Sequence, residues 1–318
     1  MTQQNRKYCE FLSLGRAPAI EWLESQNYKI IRPFTPRDYY YDAPASPFNV
    51  LPANLLKIAI LDTETTGTNQ EIDRVIELGI VIAEYCPDTG QVYKVLETYN
   101  ELEDPGMPIP PESIKVHGIT DEMVAGKKII DAALEHLIED VSLIVAHNAG
   151  FDRGFVEARW PWFSKKAWSC SLTQIPWRGE GFGSASLEFL GYKTGFHFSG
   201  HRASMDCHAL LEVLQSELPV TGVKALKMLL DTARVPTLKL WALNTPFESK
   251  EDLKKRKYRW DGDRKTWYKV LSKELLDEEI DWLRAEVYRF RSFKLEQEQM
   301  DAYNSFSNRR GLAKIVNY

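Results

Sequence analysis

Residues 55–67 read LLKIAILDTETTG. Leu55 to Leu61 is apolar but for Lys57 and closes on Asp62, the pattern of a central strand buried on both faces. Asp62 and Glu64 are two positions apart. Along an extended backbone, positions i and i+2 point to one face, so the two carboxylates converge at the strand's end. Like charges held together are costly unless protonated or offset by a cation, and oxygen donors of this kind suit Mg²⁺ or Mn²⁺. Taken alone, the pair reads first as a solvated strand end running into a Thr-Gly turn.

Working outward, RVIELGIVIA (Arg74 to Ala83) and QVYKVLETY (Gln91 to Tyr99) predict two further strands around the turn CPDTG, a meander. A proline-rich loop, DPGMPIPPES, follows. Asp121 to Glu139 shows helical spacing through Ile130, Leu134, Leu137 and Ile138. SLIVAHN predicts a short strand and FDRGFVEARW the start of a helix. Ser186 to Leu190 and Met205 to Leu218 predict two more helices. This order implies an α/β domain of about 160 residues, a mixed sheet flanked by helices.

The remaining chain divides around it. Residues 1–54 form an N-terminal extension, with a short helix at Pro18 to Gln26 and then a Pro-, Tyr- and Ser-rich stretch, either wrapped on the surface or a linker. Residues 55–218 are the α/β domain, 219–243 a helical linker and 244–272 a small basic, aromatic α+β module. Residues 273–318 are expected to form a charged helix, about Lys273 to Gln299, and a polar tail with mobile last residues.

Two more sites carry chemistry. In His147-Asn148-Ala-Gly-Phe151-Asp152 a short apolar strand again delivers an acid, here at a helix start, where capping is the structural alternative. His147 reads as a buried histidine bonded to backbone. In His201-Arg202-Ala-Ser-Met-Asp206 the acid sits in the first turn of an apolar-periodic helix, a position the helix dipole favours. His201 lies in the loop before it, which can fold over towards Asp206. Each motif is modest. Jointly they supply four carboxylates and a histidine at the ends of predicted elements. Phosphodiester hydrolysis needs such a set: two metal ions hold the scissile phosphate and activate water, and a histidine takes its proton.

The stretches IAILDTETTG, IPPESIKVHGITDEMV, IVAHNAGFDRGF and HRASMDCHALLEVL resemble the DEDDh exonucleases in order, spacing and flanking apolar runs. That family includes the proofreading epsilon subunit of bacterial DNA polymerase III. The resemblance covers about half the chain. It implies a ribonuclease H-like fold and two divalent ions releasing nucleoside 5′-monophosphates from 3′ ends. By motif position, Asp62, Glu64, Asp152 and Asp206 would hold the metal, Glu64 would help hold the attacking water, and His201 would be the general base. Thr65, Thr66 and Gly67 would meet the terminal nucleotide, His117 would border its pocket, and Asn148 and Phe151 would support the strand.

The chain has 318 residues, 44% of them hydrophobic, with 40 Lys plus Arg against 45 Asp plus Glu, a net charge of -5. That excludes coating of nucleic acid by bulk charge but not a local basic patch. From Lys250 to Lys273 the balance is +6, so the rest of the chain carries -11. Tyr258, Trp260, Trp267 and Tyr268 interleave with this charge, as in proteins that stack bases and meet phosphates. Arg256, Lys257, Arg259, Trp260, Arg264, Lys265 and Trp267 are the candidate nucleic-acid contacts. The alternative is a small hairpin with a tryptophan core and solvated cations. The segment PFESKEDLKKRKYRWDGDRKTWYK also resembles a short module downstream of some epsilon-like exonucleases, in which a Gly is typical where Lys257 stands here.

No apolar run has the length of a membrane span, and the N-terminus lacks a secretory pattern. Cys9, Cys86, Cys170 and Cys207 form no CxxC pair, so a reducing, cytoplasmic setting is expected. The expected activity is 3′–5′ hydrolysis of single-stranded DNA ends by a free-standing or accessory enzyme, with replication or repair proteins as candidate partners. The alternatives are an exoribonuclease trimming RNA 3′ ends and a polymerase-associated scaffold.

Overall fold

The computed structural model describes residues 16–40 and 54–318. Cys9 and residues 41–53 of the Pro-rich stretch lie outside them. Among the described residues, no helix is long and apolar enough to cross a membrane.

The first unit is a mixed sheet between two helical layers. Its strands are β2 (Leu56–Thr65), β3 (Val75–Tyr85), β4 (Val92–Leu102), β5 (Val141–Ala146) and β6 (Trp168–Cys170), in the order β4-β3-β2-β5-β6. The meander β2-β3-β4 is antiparallel, and β5 and β6 run parallel to β2. Residues of β2 alternate between two cores. Ile58 and Ile60 pack with Leu210, Leu211 and Leu214 on one face. Ala59 and Leu61 pack with Phe155, Val156 and Trp160 on the other. Burial on both faces is why the strand reads as an unbroken apolar run, each large side chain contributing roughly 1.5–3 kcal/mol.

Helix α5 (Ala149–Arg159) covers the second face, and α8 (Ala203–Gln215) with α9 (Ala225–Arg234) the first. The expected helix across Asp121 to Glu139 is divided into α3 (Asp121–Val124) and α4 (Asp131–Leu137). Gly126 causes the break: its φ is +68°, and its N–H donates to Asp104 Oδ2 at 2.8 Å.

Upstream, α1 spans Arg16–Ser25, and β1 (Arg32–Pro33) pairs in parallel with β7 (Phe196–His197). Phe34 stacks on Phe196 at 4.8 Å and Arg37 pairs with Glu212 at 2.7 Å. Residues 32–38 therefore lie along the first unit's surface.

The second unit is an antiparallel sheet of β8 (Thr237–Ala242), β9 (Arg259–Asp261), β10 (Thr266–Ser272), β11 (Lys294–Met300) and β12 (Ala313–Asn317), in the order β12-β11-β8-β10-β9. Helix α10 (Lys250–Lys255) and α11 (Leu276–Trp282) close its core around Leu240, Leu253, Trp267, Leu283 and Leu295. Three expectations are corrected. Residues 219–243 are not one linker, because α9 belongs to the first core and β8 is the middle strand of the second sheet. The helix expected over Lys273 to Gln299 stops at Val287, where Arg289 and Phe290 turn with φ of 51° and 60°. KLEQEQM then forms β11, pairing residue by residue with β8, and the expected mobile tail carries β12 on its outer edge.

The segment between β11 and β12 returns to the first unit. Arg153, fully buried in α5, donates to the carbonyls of Tyr303 and Ser305 at 2.6 Å each and pairs with Glu157 at 2.7 Å. Glu157 also accepts from the Ser307 hydroxyl at 2.6 Å and pairs with Arg309 at 3.1 Å. The Trp168 N–H of β6 donates to the Ala302 carbonyl at 2.7 Å.

Candidate active site

The four expected carboxylates arrive from three elements. Asp62 and Glu64 stand at the end of β2, next to a bulge between Glu64 and Thr65. Asp206 comes from the first turn of α8. Asp62, Glu64 and Asp206 each offer an oxygen within 4.8 Å of the other two. Close approach of α8 depends on Gly79, which lies opposite Asp62 in the ladder. A Cβ there would sit 2.4 Å from the Ala203 carbonyl carbon and 2.5 Å from the Ser204 nitrogen, so any side chain would push the helix, and Asp206 with it, off the sheet.

Asp152 lies in the first turn of α5 and is buried. It stands outside the mutual 4.8 Å group. Its Oδ1 reaches across to β2, accepting from the Thr63 N–H at 3.1 Å and the Thr63 hydroxyl at 2.8 Å. Asp206 Oδ2 accepts from the Arg202 N–H at 3.0 Å. It therefore closes its own helix start while contributing to the cluster, so the structural and chemical readings of this acid both hold.

Crowding and burial push all four carboxyls upward. Burial, then the charges of Asp152, Asp206 and Glu64, raises Asp62 well above the usual carboxylate range. Burial and the charge of Asp206 push Glu64 up to about 8. Burial outweighs the bonds from Thr63 and takes Asp152 to about 7. Burial outweighs the bonds from Arg202 and His201 and takes Asp206 to about 6. Among the described residues, no ion pair neutralises any of the four. The Arg202 guanidinium, whose charge acts on Glu64, is bonded to Glu77 at 2.8 Å.

Glu77 is the site residue that sequence reading missed. It is fully buried opposite Glu64, and accepts from Arg202, from Asn100 Nδ2 at 3.0 Å and from the Ala203 N–H at 3.1 Å. Burial alone would raise its pKa, but these bonds together hold it below its ordinary value. It is thus a charged anchor that ties the start of α8 to β3. One signal was available: Glu77 interrupts the apolar run from Val75 to Ala83.

The histidines take three roles. His147 is tied on both sides, Nε2 donating to the Ala185 carbonyl at 2.7 Å and Nδ1 accepting from the Ser171 hydroxyl at 2.9 Å. It is structural, as read. His117 is buried, its Nδ1 accepts from the Ile119 N–H at 3.0 Å, and among the described residues its Nε2 has no hydrogen-bond partner. His201 is exposed on the loop before α8, with φ of 68°, a strained value for a residue with a side chain. Its charge and its backbone both act on Asp206, which places it at the rim of the cluster.

Thr65 and Thr66 are buried, their hydroxyls bonded to the Gly67 carbonyl at 2.5 Å and to Asp73 Oδ1 at 3.1 Å. Gly67 approaches the Asp73 carboxylate so closely that a Cβ would lie 2.5 Å from it. Asn148 is exposed at the start of α5, and Phe151 is half-buried against Phe155 at 4.9 Å. The expected basic contacts lie elsewhere, on the second sheet, and divide. Trp267 is core. Arg256 is held by Glu278 at 2.8 Å and Arg264 by Glu296 at 2.6 Å. Lys257, Arg259, Trp260 and Lys265 are exposed.

A family model described as Exonuclease, RNase_T, matches residues 59–214, the span that holds the four carboxylates and His201. The chain is similar to DNA polymerase III PolC-type of Thermotoga maritima, 29% identical over 215 residues, covering 61% of this chain and 15% of that protein. It is also similar to DNA polymerase III subunit epsilon of Pasteurella multocida, 37% identical over 105 residues, covering 31% of this chain and 39% of the relative. A solved structure of Exonuclease X in complex with 5′ overhanging duplex DNA superposes with a TM-score of 0.41 at 29% identity, covering 55% of this chain and 99% of the other.

Proposed function

We propose that this chain, whose residues 59–214 match the family model described as Exonuclease, RNase_T, is a DEDDh-type, metal-dependent 3′–5′ exonuclease acting on single-stranded DNA ends and releasing nucleoside 5′-monophosphates. The observation that carries the proposal is the group of Asp62, Glu64 and Asp206 within 4.8 Å of one another, none of which forms an ion pair among the described residues. Such a group is stable at neutral pH only when protonated or when a cation is bound. All-oxygen donors fit Mg²⁺ or Mn²⁺. Asp62, Glu64 and Asp206, with Asp152 beside them, would hold two such ions, which supply charge neutralisation at the scissile phosphate and a more acidic water.

This chain's own residues then do the rest. His201 stands at the rim, exposed, where its imidazole takes the proton of the attacking water. The water oxygen bonds to phosphorus and the P–O3′ bond breaks. One nucleoside 5′-monophosphate leaves, and the shortened strand keeps a free 3′ hydroxyl. The unpartnered Nε2–H of His117 is available to an acceptor on the terminal nucleotide. With their hydroxyls spent internally, Thr65 and Thr66 meet the substrate through backbone and methyl groups.

Asp62→Ala should abolish Mg²⁺- or Mn²⁺-dependent shortening of 5′-labelled oligonucleotides. Wild-type digestion of matched DNA and RNA strands should favour DNA; a strong preference for RNA would replace the substrate with RNA 3′ ends. A purified wild type inactive on every 3′-ended substrate would favour a scaffold.

A further inference from the structure

A hollow of about 650 Å³ opens on the second sheet, remote in sequence from Asp62, Glu64, Asp152 and Asp206. Its wall holds Lys250, Lys254, Arg264 and Lys265 and no acidic residue. Two of these cations are engaged, Arg264 by Glu296 and Lys254 by Glu251 at 3.0 Å. Among the described residues, Lys250 and Lys265 form no ion pair. Two large aromatic side chains stand in water at its edges: Phe247 is 83% exposed and Trp260 51% exposed. Trp260 is braced edge-on by buried Trp267 at 5.3 Å, and the Lys250 ammonium lies over the Phe247 ring at 5.9 Å. A second hollow, of about 470 Å³, adjoins across Leu243, Asn244 and Pro246. Arg289, Arg291 and Lys294 line it against one carboxylate, Glu248. Phe290, between the two arginines, is 79% exposed.

We propose that these adjoining hollows form a binding track for single-stranded nucleic acid, with bases stacking on Phe247 and Trp260 and phosphates meeting Lys250 and Lys265. Exposed aromatic faces are costly in water and serve a ligand that itself offers flat apolar faces. Unpaired cations beside them serve one that carries regular negative charge. A single strand offers both at each nucleotide, whereas an acidic peptide offers the charge without the faces. The hairpin face expected from sequence is thereby replaced: of the seven expected residues, only Trp260 and Lys265 stay as direct contacts, and Phe247 and Lys250 join them. The proposal rests on the exonuclease reading only for the source of the strand, the chain whose 3′ end is being shortened.

The test uses the full chain in EDTA, so that nothing is cut, and a fluorescent oligothymidylate of about 20 nucleotides. Phe247→Ala with Trp260→Ala should raise the Kd at least about tenfold, the loss of one to two stacking contacts. Lys250→Ala with Lys265→Ala should lower the slope of log K against log salt by roughly 1.4, about 0.7 per phosphate on a single strand. With metal restored, both pairs should digest a trinucleotide at the wild-type rate, since none of the four residues touches the carboxylate cluster. Unchanged Kd in the aromatic pair, or displacement of the strand by polyglutamate as readily as by unlabelled DNA, would overturn the track. Binding with these effects but no hydrolysis by the wild type would overturn the exonuclease reading and leave the track standing.

Discussion

The two sheets solve opposite electrostatic problems. The first gathers Asp62, Glu64 and Asp206 within 4.8 Å of one another, and none of them forms an ion pair among the described residues. The second gathers cations, ties the inner ones to Glu296, Glu278 and Glu279, and leaves the outer ones to solvent. The net charge of -5 averages the two and describes neither. A chain's total charge is therefore a poor guide to its partners; the placement of unneutralised groups is the better one.

The largest break in this comparison would come from the seam between the sheets. Ending the chain after Leu243 removes the carbonyls of Tyr303 and Ser305 from Arg153, which is fully buried and follows Asp152 directly. Glu157 still pairs with Arg153, but the two carbonyl bonds are lost, and a hydrogen bond to a charged group contributes roughly 1.5–3 kcal/mol. Thermal denaturation should show a large loss of stability, or no folded product. A truncated chain as stable as the whole would mean that the two regions are independent, as the sequence alone suggests.

The second effect concerns the acidic side. Folding raises Asp206 to about 6, Asp152 to about 7 and Glu64 to about 8, above their unfolded values of roughly 4. A carboxyl raised by folding favours the fold below its unfolded pKa and loses that contribution as pH climbs through its folded pKa. Metal-free protein should therefore lose Tm as pH rises from about 4, the unfolded value, to about 8, the highest folded one, and Mg²⁺ should restore it. The restoration should be greater at about pH 8.5 than at about pH 5.5. Equal Mg²⁺ shifts at both pH values would show that the acids are not the cation's seat.

A smaller effect sharpens the geometry. Gly79→Ala places a methyl against the backbone of Ala203 and Ser204, an overpacking cost of roughly 1–3 kcal/mol. Activity should fall by more than stability, because the displaced helix carries Asp206. Circular dichroism melts and kcat on one oligonucleotide separate the two; a loss of Tm with kcat retained would contradict the role given to Gly79.

Much of the first unit was legible because burial on both faces writes itself into β2 and β3 as continuous apolar runs, and because each acid directly follows such a run or opens a helix. Gly79 and Arg153 were not legible, and Glu77 showed only as a charge inside an apolar run. Their partners lie 124 to 152 positions away along the chain, a relation no local pattern encodes. β11 was misread for a different reason. Lys, Leu, Glu, Gln and Met all favour helices, and only pairing with β8 on one side and β12 on the other makes KLEQEQM a strand. The same distance effect divided the basic module, since Arg256 and Arg264 find their acids on later elements.

The central claim is that the acidic cluster shortens strands from the 3′ end. Its most direct measurement is a time course on 5′-labelled single-stranded DNA with Mg²⁺, resolved to single nucleotides, with the released product identified by mass. A ladder descending one nucleotide at a time with free 5′-monophosphates is the predicted result. Internal fragments, release of the 5′ label as a mononucleotide, or identical digestion by Asp62→Ala would contradict it.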